Sequence, residues 1–150
     1  MTNHTAVPLW AITCYFNPVG YKRRLENYRV FRRRLCVPLV AVELSFDGSF
    51  QLHNDDADIL VRIHGRDVMW QKERLLNIAL ERVPKNCDKI AWLDCDIVFG
   101  TDDWAEQARR APDASGTVHL FAERPDLPRD RARRAPPPGH AAPPSTPEPP

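Results

Sequence analysis

Five short apolar runs separated by segments of helical period predict an α/β protein, a three-layer α/β/α sandwich with a mainly parallel sheet. Runs such as LWAITCYF (Leu9–Phe16) and VPLVAVELSF (Val37–Phe46) are apolar almost throughout, the pattern of strands covered on both faces. Between Tyr21 and Cys36, and again between Val68 and Val83, apolar residues recur every three or four positions, as in helices that cover such a sheet. The stretch KIAWLDCDIVF (Lys89–Phe99) points to where a ligand binds. It reads as a central strand, yet it carries Asp94 and Asp96 on either side of Cys95. Carboxylates inside a buried strand are costly without partners, so the strand is expected to end near Leu93 and to deliver both acids to the edge where open α/β sheets take their ligands.

In chain order, the first strand, Leu9–Phe16, breaks at Asn17, Pro18 and Gly20, which puts Asn17 at its carboxyl end. Tyr21, Leu25, Tyr28, Phe31 and Leu35 share one face of the first helix; seven basic residues against the single acid Glu26 read as a solvated outer face, with arginine stems lying over the core. In the second strand, Val37–Phe46, Pro38 stands at the start and Glu43 is the odd residue. An acid there either holds a ribose or base, as in nucleotide-binding α/β units, or points to solvent. Asp47-Gly48-Ser49 is a turn. Asp55, Asp56 and Asp58 lack the glycine and distal glutamate of a calcium loop and read as a solvated loop. A third strand spans Ile59–His64, and His64 has no second histidine at ligand spacing. The second helix, Val68–Val83, has Asp67 as candidate N-cap and buries Met69, Leu75, Leu76, Ala79, Leu80 and Val83 before Pro84 ends it. After the acidic strand, Asp103 and Glu106 have capping-box spacing at the start of a short helix that Pro112 closes, and Thr117–Ala122 reads as a last strand.

Composition bounds the folded unit. Ten of the fifteen prolines and five arginines lie between Arg124 and Pro150, where no sizeable apolar residue follows Leu127. Residues 6–123 are therefore the expected domain and 124–150 a disordered tail. A net charge of +1 argues against a nucleic-acid binder. The four cysteines show no zinc spacing and no disulfide framework, and no stretch reads as a signal peptide or membrane span, so a cytoplasmic protein with reduced thiols is expected.

Alternate residues at a strand end point the same way, so Asp94 and Asp96 can meet one hard cation, magnesium or manganese, that keeps coordination sites for substrate phosphates. The bland alternative is an acid pair neutralised by Lys72, Arg74 or Lys89. At this point the chain resembles a known family. Trp70-Gln71-Lys72-Glu73-Arg74-Leu75-Leu76-Asn77, followed by Leu93-Asp94-Cys95-Asp96-Ile97, is similar to the aromatic-N-R-A-K-L-L-N helix and D-x-D strand of galactosyltransferase-type enzymes of the GT-A glycosyltransferase fold. The resemblance covers roughly residues 9–122. It implies a nucleotide-diphosphosugar donor, a UDP-sugar first among them, with Trp70 and Lys72 facing the nucleotide and diphosphate. It implies further that Asp94 and Asp96 serve a Mn2+ or Mg2+ ion, Asp94 also the donor, and Asp96 most directly the metal. Asn17 and Glu43 complete the candidate donor site. Asn77 matches as well, or is a buried link from helix to strand, and Lys72 stands where the family has Arg, which keeps the charge without the bidentate fork.

In that family the acceptor site and catalytic base come from sequence after the D-x-D strand; here one helix, one strand and the proline-rich tail follow. The expectation is therefore a donor-binding, truncated domain with unassigned catalytic residues and acceptor. A non-catalytic remnant is the rival from another class. A distant enzymatic rival is a haloacid dehalogenase phosphatase, whose D-x-D-x-[TV] motif Asp94-Cys95-Asp96-Ile97-Val98 matches literally.

Overall fold

The computed structural model describes residues 8–65, 71–111 and 116–119. Four strands, β1 (Leu9–Phe16), β2 (Leu39–Ser45), β3 (Ile59–His64) and β4 (Lys89–Trp92), form one sheet in the order β3-β2-β1-β4, and every neighbouring pair is parallel. Three helices accompany it, α1 (Lys22–Arg34), α2 (Lys72–Leu80) and α3 (Trp104–Arg110), with a 3-10 turn at Asn54–Asp56.

The pleat sorts the side chains into two cores. Leu9, Ala11 and Tyr15 of β1 join Leu39 and Ala41 of β2 beneath Tyr28 and Phe31 of α1 and Trp104, Ala105 and Ala108 of α3. Ile12, Val40, Val42 and Leu44 project from the other face onto Leu75, Leu76 and Ala79 of α2. The three layers follow from this alternation. On the α1 side the Tyr15 and Tyr28 rings meet edge to face at 5.3 Å, and Phe99 stacks on Trp104 at 4.0 Å.

The connections place a switch in the middle of the sheet. From β1 the chain steps outward to β2 and β3, then returns beneath the sheet through α2 to add β4 on the other side of β1. Strand order thus reverses between β1 and β4, whose carboxyl ends are tied by the Thr13 hydroxyl donating to Leu93 O (2.8 Å) and the Leu93 N–H donating to Ile12 O (3.1 Å). Farther out, Asp58 accepts from the Leu39 N–H (2.8 Å) and from Arg32 (3.0 Å), which makes this loop acid a brace for the start of β2. His64 lies exposed with a ring nitrogen 2.9 Å from Phe46 O.

The expected mainly parallel sheet is observed, and among the described residues it is wholly parallel. Several other expectations need correction. Thr117–His119 form no strand; residues 120–122 and the tail lie outside the described residues. Among the described residues β4 is an edge strand, not a central one: α2 packs on β1 and β2, so Ile90 and Trp92 face solvent, Trp92 54% exposed. Helix α2 starts at Lys72, and the candidate cap Asp67 and Met69 lie outside the described residues. Leu80 is exposed, because it falls beyond the strip of α2 that meets the sheet. Asn77 is exposed as well, so it is not a buried link. The capping box at Asp103 does not form: the Asp103 carboxylate accepts from Gln107 Nε2 (2.8 Å), one turn on, while Glu106 pairs with Arg109 and Arg110.

Candidate functional site

A cleft of about 230 Å³ opens at the carboxyl ends of β1 and β4, where strand order reverses. Its floor is Thr13, Cys14 and Phe16 of β1 with Leu93; its rim carries Lys72 from the first turn of α2, Arg24 from α1, and both carboxylates, Asp94 and Asp96. The reason is local. β4 ends at Trp92, Leu93 is the last residue tied to β1, and the chain then turns through Asp94-Cys95-Asp96 in open backbone. The polar residues end the strand because the sheet offers no partners for two charges.

Lys72 donates to Asp94 Oδ1 in a part-exposed ion pair, the lysine side chain 27% and the aspartate 39% accessible. That hydrogen bond, foremost, holds the Lys72 ammonium above its ordinary range, so it is charged at neutral pH. Asp96 is exposed and has no hydrogen bond or ion pair among the described residues. Cys14 and Cys95 line the same cleft, and burial pushes their thiols up to about 11 and about 12, which leaves them protonated and poor nucleophiles.

The structure thus brings Lys72, Asp94 and Asp96 together. Trp70 lies outside the described residues. Asn17 and Glu43 do not line the cleft. Asn17, 8% exposed, is engaged on every side: Nδ2 donates to Gln51 Oε1 (2.8 Å), Tyr15 Oη and Tyr21 O, and Oδ1 accepts the Tyr21 N–H (3.0 Å). Glu43, 2% exposed, lies on the α1 face, where its carboxylate accepts the backbone N–H groups of Gln51 and Leu52. Burial, the largest influence, raises its pKa against those hydrogen bonds. Both residues shape the segment after β2. Of the other two candidate neutralisers, Lys89 donates to Arg109 O (2.7 Å) and Ala111 O (2.6 Å) at the end of α3, and Arg74 donates to Gln71 on its own helix.

Sequence reasoning missed Arg24. Its guanidinium is anchored at the cleft by donating to Phe16 O (2.8 Å), the last carbonyl of β1. The signal was present in Lys22-Arg23-Arg24, three cations in a first turn that has no acid and no side-chain cap. Positive charge is unfavourable at that end of a helix.

Two carboxylates are hard oxygen donors of the kind magnesium and manganese take. No group of three or more His, Cys, Asp or Glu side chains converges among the described residues. The donor set fits an ion that draws its remaining ligands from water and substrate oxygens, and it does not fit an all-protein cage. Among the described residues no helix is long and apolar enough to cross a membrane. Compared with protein-family models, curated proteins and solved structures, the chain matches none.

Proposed function

We propose that the cleft is the donor site of a glycosyltransferase-like domain of the GT-A type, binding a nucleotide diphosphosugar, a UDP-sugar in the first instance, through Mn2+ or Mg2+ held by Asp94 and Asp96. One observation supports this above the others: two acids and a lysine converge at the carboxyl edge between β1 and β4, the point of order reversal at which open α/β sheets bind ligands. The cleft's volume of about 230 Å³ suits a diphosphate and its ion. Ligand pockets for whole drug-sized molecules run to roughly 300–1,000 Å³, so the nucleoside and sugar would lie across the rim. When bound, the divalent ion would offset the charge that develops on a departing diphosphate. Lys72 and Arg24 supply positive charge to the same oxygens. Asp96, exposed and unengaged among the described residues, offers its carboxylate directly, and Asp94 stands beside it, paired with Lys72 through Oδ1. Asn17 and Glu43 act at one remove, by holding the segment beside β1 and β2.

The test is thermal unfolding of the full chain with UDP and Mn2+ together, each alone, and in Asp96→Ala. Ligand at a hundredfold excess over Kd stabilises the native state by about 2.7 kcal/mol, a rise in Tm of several degrees. A rise that needs both ligands and disappears in Asp96→Ala is the expected result. A cooperative transition indifferent to UDP and Mn2+ would remove this function and leave a non-catalytic remnant; cleavage of p-nitrophenyl phosphate with magnesium would instead favour the phosphatase.

A further inference from the structure

We propose that the loop 17–21 and the outer face of α1 form a docking surface for an anionic lipid membrane, with Val19 and Tyr21 entering the headgroup boundary and Lys22, Arg29 and Arg33 lying against the lipid phosphates. None of these five residues lines the cleft, so the surface stands or falls independently of the donor site.

Val19 is 67% and Tyr21 63% exposed, the two most exposed large apolar side chains among the described residues, and they stand two positions apart. Apolar residues scattered singly on a surface are ordinary; a pair held out by a braced turn asks for a partner. The brace is Asn17. Its Oδ1 accepts the Tyr21 N–H (3.0 Å), its Nδ2 donates to Tyr21 O (3.1 Å), and its own carbonyl accepts the Gly20 N–H (3.1 Å). Gly20 completes the turn at φ +72°, where a glycine is unstrained. Tyrosine, with an apolar ring and a polar tip, suits the depth of a headgroup layer.

The turn leads directly into α1. Tyr28 and Phe31 are the buried residues of that helix, and Lys22, Glu26, Arg29 and Arg33 recur along the opposite side, a line about 16 Å long at 1.5 Å per residue. Glu26 is its one acid. Lys22, Arg29 and Arg33 are exposed and make no hydrogen bond or ion pair among the described residues. In the neighbouring loop 54–58, Asp56 accepts the His53 N–H and Asp58 accepts from Arg32 and the Leu39 N–H, so these acids are engaged elsewhere. The positive end of the helix dipole adds to the same field. Charge selects an anionic partner, and the aliphatic Val19 selects lipid over nucleic acid: it can neither stack on a base nor pair with one, whereas a headgroup boundary takes it in.

The full chain is sedimented with vesicles of phosphatidylcholine, alone and with phosphatidylserine added. Binding to the anionic vesicles alone is expected. Five arginines beyond residue 123 also carry charge, so substitutions on the proposed surface decide. At about fivefold per basic residue, Arg29→Gln/Arg33→Gln should bind about 25-fold more weakly and Lys22→Gln about fivefold. Val19→Ser/Tyr21→Ser should lose about tenfold, the factor for keeping one valine-sized side chain in water. Circular dichroism checks that each variant melts as wild type does; should one unfold, the others decide, since they alter different side chains. Wild-type affinity in either folded double variant overturns the proposal, as does equal binding to both kinds of vesicle or to neither. Retention on polyuridylate without vesicle binding would overturn it in favour of a nucleic acid.

Discussion

Replacing Glu43 separates a residue that holds a loop from one that holds a ligand. In Glu43→Ala the N–H groups of Leu52, which is buried, and Gln51, which is half-buried, lose their acceptor. An orphaned buried donor costs about 1–3 kcal/mol. With water able to reach Gln51, the sum is about 2–4 kcal/mol, or a fall in Tm on the order of 8–16 °C at roughly 4 °C per kcal/mol. Thermal unfolding by circular dichroism at pH 7 measures it. Glu43→Gln keeps an acceptor oxygen and adds a pH signature. Burial holds the Glu43 carboxyl above its ordinary 4.5 in the fold, so the native state binds that proton more tightly than the unfolded chain does. The resulting stabilisation is fully present below about pH 4.5 and is lost as pH rises through the higher folded value. Glu43→Gln should lose less stability than wild type across that window. A Glu43→Ala Tm within about 3 °C of wild type, with the response to UDP abolished, would refute the loop-holding role.

Lys89→Met should remove two charge-assisted hydrogen bonds to the last carbonyls of α3. The expected loss is about 1.5–3 kcal/mol in thermal unfolding, with the UDP and Mn2+ response retained because Lys89 serves α3. Asp47 accepts the Ser49 N–H (2.9 Å), the Ser49 hydroxyl (2.6 Å) and the Ser45 hydroxyl (2.9 Å), which hold its carboxyl down to about 2. Its contribution is present above the ordinary 3.8 and lost as pH falls towards 2. Acid titration of Asp47→Ala should show a shallower decline in stability than wild type over that interval.

Strand boundaries were legible where composition and covering agree. Leu9–Phe16 and Ile59–His64 begin and end as their apolar runs do, and the helical periods of Tyr28 with Phe31 and Leu75 with Leu76 and Ala79 mark the sides that pack. The run Lys89–Trp92 misled because an apolar string records hydrophobicity and not what covers it; only the order of strands reveals that α2 packs on β1 and β2 and leaves Ile90 and Trp92 largely exposed. At the site, Asp94 and Asp96 stood out because charge in an apolar strand is a local contradiction. The partners of Asn17 and Glu43 were illegible, since Gln51 lies in an irregular segment placed by tertiary contacts. Arg24 was hidden by its neighbours: one cation among seven on a helix carries no mark until β1's last carbonyl fixes it.

The bond between the Thr13 hydroxyl and Leu93 O joins residues 80 positions apart. β1, α1, β2 and β3 follow one another along the chain and can assemble by successive short-range steps, whereas β4 reaches β1 only after the whole excursion through α2. Loop-closure entropy sets that pairing late in folding, and a four-residue strand recovers little of it. The acids of the cleft thus come into register after the rest of the sheet. In the native protein the same short edge is where a fluctuation can part the sheet at least expense, and amide exchange should spread from Lys89–Leu93 before it touches β2.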